Sequence, residues 1–230
     1  MTQNPATTPD IPVPANRPLV GVFWMLVTGA CFIGVTALVK YMGPRLPSAE
    51  AAFLRYAMGL VFVLPILRSL LSTPVSKRQW GLFGLRGFFH AGGVILWFYA
   101  MTRLPIAEVT AMNYLAPIYV TVGAAIFLGE KLAARRIVAV CLGLAGAAII
   151  LRPGFREVST GHLAMLLAAV VFAGSYLLAK VLADEARPVM IVTMLSIFVT
   201  IGLAPFAFTV WITPTAQELL ILAGVAFFAT

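Results

Sequence analysis

Residues 105–154 read PIAEVTAMNYLAPIYVTVGAAIFLGEKLAARRIVAVCLGLAGAAIILRPG. Two apolar segments, 106–128 and 137–151, flank a charged turn over residues 129–136. The first segment is long enough to cross a hydrocarbon layer of about 30 Å at 1.5 Å per residue, and the second reaches that length when the Leu and Ala residues of the turn join it. The stretch therefore predicts an antiparallel pair of membrane helices.

Composition extends this interpretation to the whole chain. Hydrophobic residues make up 61% of the 230 residues and charged residues 10%, with a mean hydropathy of +1.00, whereas soluble domains are roughly 45–50% apolar and 25% charged. The net charge of +8 is spread singly or in pairs between apolar segments, which argues against nucleic acid. Cys31 and Cys141 lie in apolar segments, and no Cys/His cluster is present, so we expect no disulfide, metal or cofactor.

The other apolar segments predict further spans. They cover 19–39, 49–68, 80–102, 105–128, 132–151, 161–180 and 188–210, and an eighth opens near 217. Residues 1–18 are polar and Pro-rich and predict a disordered leader, and the apolar segment after Arg17 predicts a retained anchor. Nine Lys and Arg residues fall on the side of the N-terminus and five on the other, which predicts a cytoplasmic N-terminus.

An internal repeat relates the two halves of the chain at an offset of 140 residues. The pairs that carry most weight are Gly21 with Gly161, Gly34 with Gly174, Lys40 with Lys180, Pro65 with Pro205 and Gly84 with Gly224. One unit holds five spans, an odd number, so the second unit enters the membrane from the opposite side. Thr230 corresponds to His90, so we expect a ten-helix protein truncated after the start of its eighth helix.

The predicted fold is thus an all-α polytopic membrane protein with two inverted five-helix repeats, the second incomplete, giving seven full helices and part of an eighth. We assign residues 1–18 to a cytoplasmic leader, 19–152 to the first repeat and 160–230 to the second.

The first unit contains a series of short motifs. They are Phe53 and Arg55, Trp80, the run Leu104-Pro105-Ile106-Ala107-Glu108-Val109, Leu115-Ala116-Pro117 and Leu128-Gly129-Glu130-Lys131. This series resembles the EamA-type branch of the drug/metabolite transporter superfamily, from about Leu19 to the end of the chain and most densely over 86–152. The resemblance implies ten helices in two inverted repeats and movement of small organic metabolites across the bacterial inner membrane. Within the family, the run from His90 to Pro117 is similar to a subgroup of riboflavin and S-adenosylmethionine transporters.

A polar stripe marks the fourth span. Thr110, Asn113, Tyr114, Pro117 and Thr121 follow the spacing i, i+3, i+4, i+7 and i+11 of one helix face. Because unsatisfied polar groups are costly in hydrocarbon, this face either lines a cavity that binds substrate or bonds a neighbouring helix. Pro117 removes the helical bond to the carbonyl of Asn113 and predicts a kink.

A second stripe lies on the third span, where Arg86, His90, Gly93 and Trp97 share a face. Ionisable groups at membrane depth are candidates for function. Arg86 either serves such a site or extends towards the cytoplasmic surface. His90 either binds substrate or a proton, or is a hydrogen-bonded core residue.

Aromatic residues on two repeat-related spans complete the candidate substrate site. Trp24 and Thr28 lie on the first span, and Ser175 and Tyr176 on the sixth. Aromatic walls with a few polar groups suit a planar organic substrate. Trp24 has an equal alternative as a membrane-interface residue.

Charged residues near the ends of the spans form a separate candidate set. Glu50, Arg55, Arg86 and Glu108 either gate the cavity or form local ion pairs. No carboxylate is expected at mid-depth, so the sequence does not support coupling by a deep carboxylate.

These features predict a transporter of a small organic metabolite, such as an amino acid, nucleoside, vitamin or drug-like compound, working by alternating access through a central cavity. The expected partners are the substrate and the lipid bilayer, without nucleic acid, and a homodimer is left open. The alternatives are a non-transporting membrane scaffold and a membrane-embedded enzyme. An enzyme would need a converging set of catalytic groups, which the sequence does not offer, so we expect none.

Overall fold

The computed structural model describes residues 18–71, 74–151 and 158–229, and all regular structure within these ranges is helical. The helices are α1 (Pro18–Met42), α2 (Ser48–Leu71), α3 (Lys77–Met101), α4 (Ile106–Asn113), α5 (Leu115–Phe127), α6 (Ala134–Leu151), α7 (Thr160–Ala183), α8 (Pro188–Thr209) and α9 (Ala216–Ala229). Five segments of the described chain are long and apolar enough to cross a membrane, namely Leu19–Met42, Lys77–Met101, Ile106–Phe127, Thr160–Ala183 and Pro188–Thr209. The prediction of an all-α polytopic membrane protein is confirmed.

Some sequence predictions concern residues outside these ranges. They are the leader up to residue 17, and the turn and charges over 152–157 between the two predicted repeats. The side chain of Pro65, one of the repeat pairs, also lies outside the described part.

Local sequence determines where several helices begin and end. Before α3, the Ser76 hydroxyl accepts from the Gln79 backbone N–H at 3.2 Å and the Gln79 side chain accepts from the Ser76 N–H at 2.9 Å, which forms a capping box. Gly43 after α1 and Gly129 after α5 have φ values of 77° and 68°. Glycine adopts this left-handed conformation without a Cβ clash, so both helices end in tight turns.

The predicted fourth span is interrupted. It consists of α4 and α5, which are separated at Tyr114. The Tyr114 N–H donates to the carbonyl of Ala111, three residues earlier, at 3.2 Å. This is the hydrogen bond of a 3₁₀ turn, whereas an α-helix bonds residues four apart. Pro117 has no N–H to offer the carbonyl of Asn113. The helix is thus interrupted just before Pro117, where the sequence predicts a kink, and the kink itself stays a prediction that this interruption supports.

The helices pack in pairs that are far apart in sequence. Helix α3 packs against α7, α1 against α9 and α2 against α8, and α3 also contacts α8 while α2 contacts α9. The predicted offset of 140 residues relates α1 to α7, α2 to α8 and α3 to α9, so it exchanges the first two pairs and maps the third onto itself. This packing is what an inverted repeat requires, and the two-repeat organisation stays a prediction that it supports.

One glycine allows α3 and α7 to approach closely. A Cβ at Gly93 would lie 2.8 Å from ring carbons of Phe172. The crossing brings the middle of α3, including His90, against the middle of α7.

Candidate functional site

His90 occupies the centre of a polar cluster between α2, α3 and α7. Its Nε2 lies 2.9 Å from the Tyr56 hydroxyl, and its Nδ1 lies 3.2 Å from the Ser175 hydroxyl. Tyr56, His90 and Ser175 are all buried. Because a hydroxyl both donates and accepts, either neutral tautomer of His90 satisfies both bonds.

Aromatic rings form a wall beside this histidine. The Phe172 ring centroid lies 5.0 Å from that of His90, and the Tyr176 ring stacks on Phe172 at 6.2 Å with an interplanar angle of 23°. Tyr176 is 43% exposed, whereas Phe172 is buried. The wall therefore reaches from the buried core to an accessible surface. We call Tyr56, His90, Phe172, Ser175 and Tyr176 the His90 cluster.

Two arginines flank the His90 cluster. The Arg55 guanidinium lies 4.0 Å from the Tyr56 ring centroid, in cation–π geometry. Arg86 is buried and donates from Nη1 to the backbone carbonyl of Ile191 on α8 at 2.7 Å.

Three N–H groups near the cluster lack acceptors. Among the residues that the structure describes, Nε of Arg55, Nε of Arg86 and Nε1 of Trp97 are buried without a hydrogen-bond partner. Trp97 lies two turns beyond His90 on α3, with its ring 5.5 Å from Phe32 of α1. A buried donor without an acceptor costs about 1–3 kcal/mol. All three groups are donors, so this part of the protein favours a ligand rich in acceptors.

The predicted polar stripe on the fourth span lies apart from the His90 cluster. The hydroxyls of Thr110 and Thr121 bond carbonyls of their own helices, those of Ile106 and Pro117, each at 2.8 Å. Asn113 is half-buried, Tyr114 is 65% exposed and Pro117 is exposed. Within the described residues, no hydrogen bond or ring contact connects this stripe to His90.

The structure also separates the two predicted aromatic walls. Trp24 is 61% exposed and contacts Phe23, and the Thr28 hydroxyl bonds the Trp24 carbonyl at 2.8 Å. Tyr176 contacts His90 at 6.3 Å between ring centroids. The sixth-span residues thus join the cluster, while those on the first span lie elsewhere.

The four predicted gating residues divide into two places. Arg55 and Arg86 belong beside the His90 cluster. The buried Glu50 accepts from the Ile212 N–H at 2.9 Å, and Glu108 Oε2 lies 3.1 Å from His162 Nε2. These two carboxylates hold together one end of the bundle, where α2, α4, α7 and α9 begin.

Sequence reasoning missed several ion pairs at the ends of the bundle. At the end containing the α1–α2 turn, which we call the Arg45 end, Arg45 forms a two-pronged pair with Glu218 of α9, with one bond of 2.7 Å from Nε. At the opposite end, the Arg78 end, Arg78 of α3 pairs with Glu185 in the α7–α8 turn. Arg45 and Arg78 were used only as charges that set the orientation of the spans, and nothing in the sequence indicated their partners Glu218 and Glu185.

A third ion-pair group at the Arg78 end joins the α5–α6 turn to α7. Glu130 pairs with Lys180 and accepts from Arg136 at 3.0 Å. Hydrogen bonds from Lys180, and then from Arg136, hold the pKa of the Glu130 carboxyl below its ordinary value.

Tyr56, Phe172 and His162 were also missed as partners. Tyr56 immediately follows the predicted residue Arg55, and Phe172 lies one turn before Tyr176, so their positions gave the only available signal.

Comparison with known proteins relates the chain to one transporter family and to several named transporters. Residues 19–152 match the EamA-like transporter family. The chain is 32% identical over 217 residues to the riboflavin transporter of Vibrio cholerae, covering 91% of this chain and 73% of that protein. It is 26% identical over 203 residues to an S-adenosylmethionine uptake transporter of Rickettsia bellii, covering 88% and 70%. It is 26% identical over 209 residues to a pseudopaline exporter of Pseudomonas aeruginosa, covering 89% and 73%.

Proposed function

The chain belongs to the EamA-like transporter family, and from this premise we propose that it carries a planar, acceptor-rich organic metabolite across the bacterial inner membrane through the His90 cluster. It is a multi-pass membrane protein related to small-molecule transporters, and its relatives' names indicate transport and not catalysis.

The observation that carries the proposed site is the presence of buried, unpartnered N–H donors on the helices that also carry the aromatic wall and its neighbours. Among the residues that the structure describes, Arg55 and Arg86 have no carboxylate partner, which is costly inside a membrane bundle unless a ligand or water offsets the cost. Carbonyl and ring-nitrogen acceptors of a heteroaromatic compound satisfy these donors. The stacked rings of Phe172 and Tyr176 offer a flat surface for such a compound.

The relatives supply probes for this substrate class. One is named a riboflavin transporter, and riboflavin is a planar ring system rich in carbonyl and nitrogen acceptors. Riboflavin is therefore the first compound to test, with S-adenosylmethionine as the contrasting, positively charged probe.

We further propose that transport occurs by alternating access, with the N-terminus in the cytoplasm. The excess of Lys and Arg on the side of the N-terminus supports the orientation. The exchange of the α1–α9 pair with the α3–α7 pair under the predicted repeat supports alternating access.

Flux of labelled riboflavin in cells or membrane vesicles tests the proposal. His90→Leu removes the central hydrogen-bonding group and should abolish flux. Trp97→Phe keeps an aromatic ring but removes its N–H, so it should weaken apparent affinity by roughly threefold to tenfold. Phe88→Leu is the matched control, because Phe88 lies on the same helix and is 71% exposed.

The outcomes separate the site from the function. Wild-type flux in His90→Leu would refute the proposed site. If Asn113→Leu and Tyr114→Ala abolish flux while His90→Leu does not, the stripe on the fourth span is the site instead. Failure to move any small molecule in either direction would favour the scaffold alternative.

A further inference from the structure

Two ion pairs at opposite ends of the bundle occupy corresponding positions of the predicted repeat. Adding 140 to Arg45 gives Glu185, and adding 140 to Arg78 gives Glu218. The structure pairs Arg45 with Glu218 and Arg78 with Glu185. The operation that relates the two halves therefore turns one ion pair into the other and reverses the sign of both members.

The structural settings of the two pairs also correspond. Arg45 and Glu185 lie in the turns after α1 and α7, while Arg78 and Glu218 lie in the first turns of α3 and α9. Each pair has a second anchor on a backbone carbonyl. Arg45 donates to the carbonyl of Thr213 at 3.2 Å, and Gln79, next to Arg78, donates to the carbonyl of Glu185 at 3.1 Å.

Each pair joins the first predicted unit to the second. A rocking motion between units that opened the Arg45 end would pull Arg45 away from Glu218, and the opposite motion would pull Arg78 away from Glu185. Both pairs are formed in this structure.

We propose that these two ion pairs are the paired gates of the transporter, so that each holds its own end closed and the two break alternately. This inference rests on the proposed transport function and deepens it. Because the two ends use corresponding ion pairs with reversed charges, the two pairs contribute in the same way to closing their own ends. A single charge reversal should therefore favour the opening of one chosen end.

Accessibility of a central cysteine tests this directly. Ser175→Cys places a thiol in the His90 cluster, in a background in which Cys31 and Cys141, the two cysteines of the chain, are changed to alanine. A membrane-impermeant methanethiosulfonate reagent is applied to right-side-out and to inverted vesicles. Ser175 is fully buried in the structure, so slow labelling is expected when both gates are intact.

Glu218→Arg should raise labelling from the Arg45 end, and Arg78→Glu should raise it from the Arg78 end. An increase of roughly twofold to fivefold is expected for loss of a partly exposed ion pair. The exchanged doubles, Arg45→Glu with Glu218→Arg and Arg78→Glu with Glu185→Arg, should return both rates to the starting values. The neutral variants Arg45→Gln and Arg78→Gln repeat the test if a reversal prevents membrane insertion.

Lys77→Glu is the matched control. It makes the same charge change one residue from Arg78, and among the described residues Lys77 has no side-chain partner. Three results would overturn the inference. The single variants could label at the starting rate, both could label faster from the same end, or the exchanged doubles could fail to restore the starting rate. Riboflavin flux is measured separately in the chain that keeps Ser175. If the charge reversals change the side of labelling but this chain moves no riboflavin, the gates are upheld and the proposed substrate is contradicted. If that chain moves riboflavin but the charge reversals do not change the side of labelling, the proposed substrate is upheld and the gates are contradicted.

Discussion

Gly93→Ala should destabilise the protein by breaking the close contact between α3 and α7. The new Cβ would lie 2.8 Å from Cδ1 and Cε1 of Phe172 and 3.1 Å from its Cγ. The rigid Phe172 ring has little room to move, because His90 lies on one side and Tyr176 stacks against it. Overpacking of this kind costs about 1–3 kcal/mol. Alanine also favours the helical state over glycine by about 1 kcal/mol, which masks part of the cost.

Gly92→Ala is the control that separates the cost of overpacking from the gain in helix propensity. A Cβ at Gly92 would meet Val171 Cγ1 at 3.8 Å, an ordinary contact, and it gains the same helix propensity. The free energy of unfolding of both variants is measured by denaturant titration in mixed micelles. The Gly93 variant should be less stable than the Gly92 variant by about 1–3 kcal/mol, since the propensity terms cancel. Equal stability would refute the close crossing of α3 and α7.

Three further results are expected. Tyr56→Phe should lower stability by about 0.5–1.5 kcal/mol by removing one hydrogen bond to His90, and the loss should vanish in a His90→Leu background, which a double-mutant cycle measures. Pro117→Ala should restore the broken helix, seen as slower hydrogen exchange in the residues around the break, and unchanged exchange would argue against proline as the cause. For Glu130 the folded-state pKa is lowered, so its stabilisation is complete above the ordinary value of 4.5 and is lost as the pH falls through the folded-state value. Melting curves of the parent and of Glu130→Gln should therefore converge in acid and separate near neutral pH, and parallel curves would contradict the ion pair.

Local features of the structure were predictable from the sequence. Hydropathy over about 20 residues locates a membrane helix whatever its neighbours, so the span predicted at 80–102 matches α3 (Lys77–Met101) closely. The break in the fourth span was predictable for the same reason, because Pro117 acts on its own helix.

Long-range contacts were not predictable in the same way. His90 was a candidate from its depth alone, but its partners lie 34 residues before it and 85 residues after it. Asn113 and Tyr114 belong to one predicted polar stripe, yet spacing alone does not show whether that stripe meets another helix, a cavity or lipid. Arg45 was counted only for the orientation of the spans, and its pairing with Glu218 was not predictable because it depends on how the two halves pack.

The long separation between Arg86 and its partner has a consequence for biosynthesis. The carbonyl that accepts the hydrogen bond from Arg86 belongs to Ile191, 105 residues further along the chain. At about 5–20 residues per second, roughly 5–20 s of translation pass before that partner leaves the ribosome. During this interval helix α3 holds a charged side chain that its final neighbours do not yet satisfy. Membrane integration of the first three helices therefore depends on water or on the insertion machinery to shelter that charge until α8 arrives.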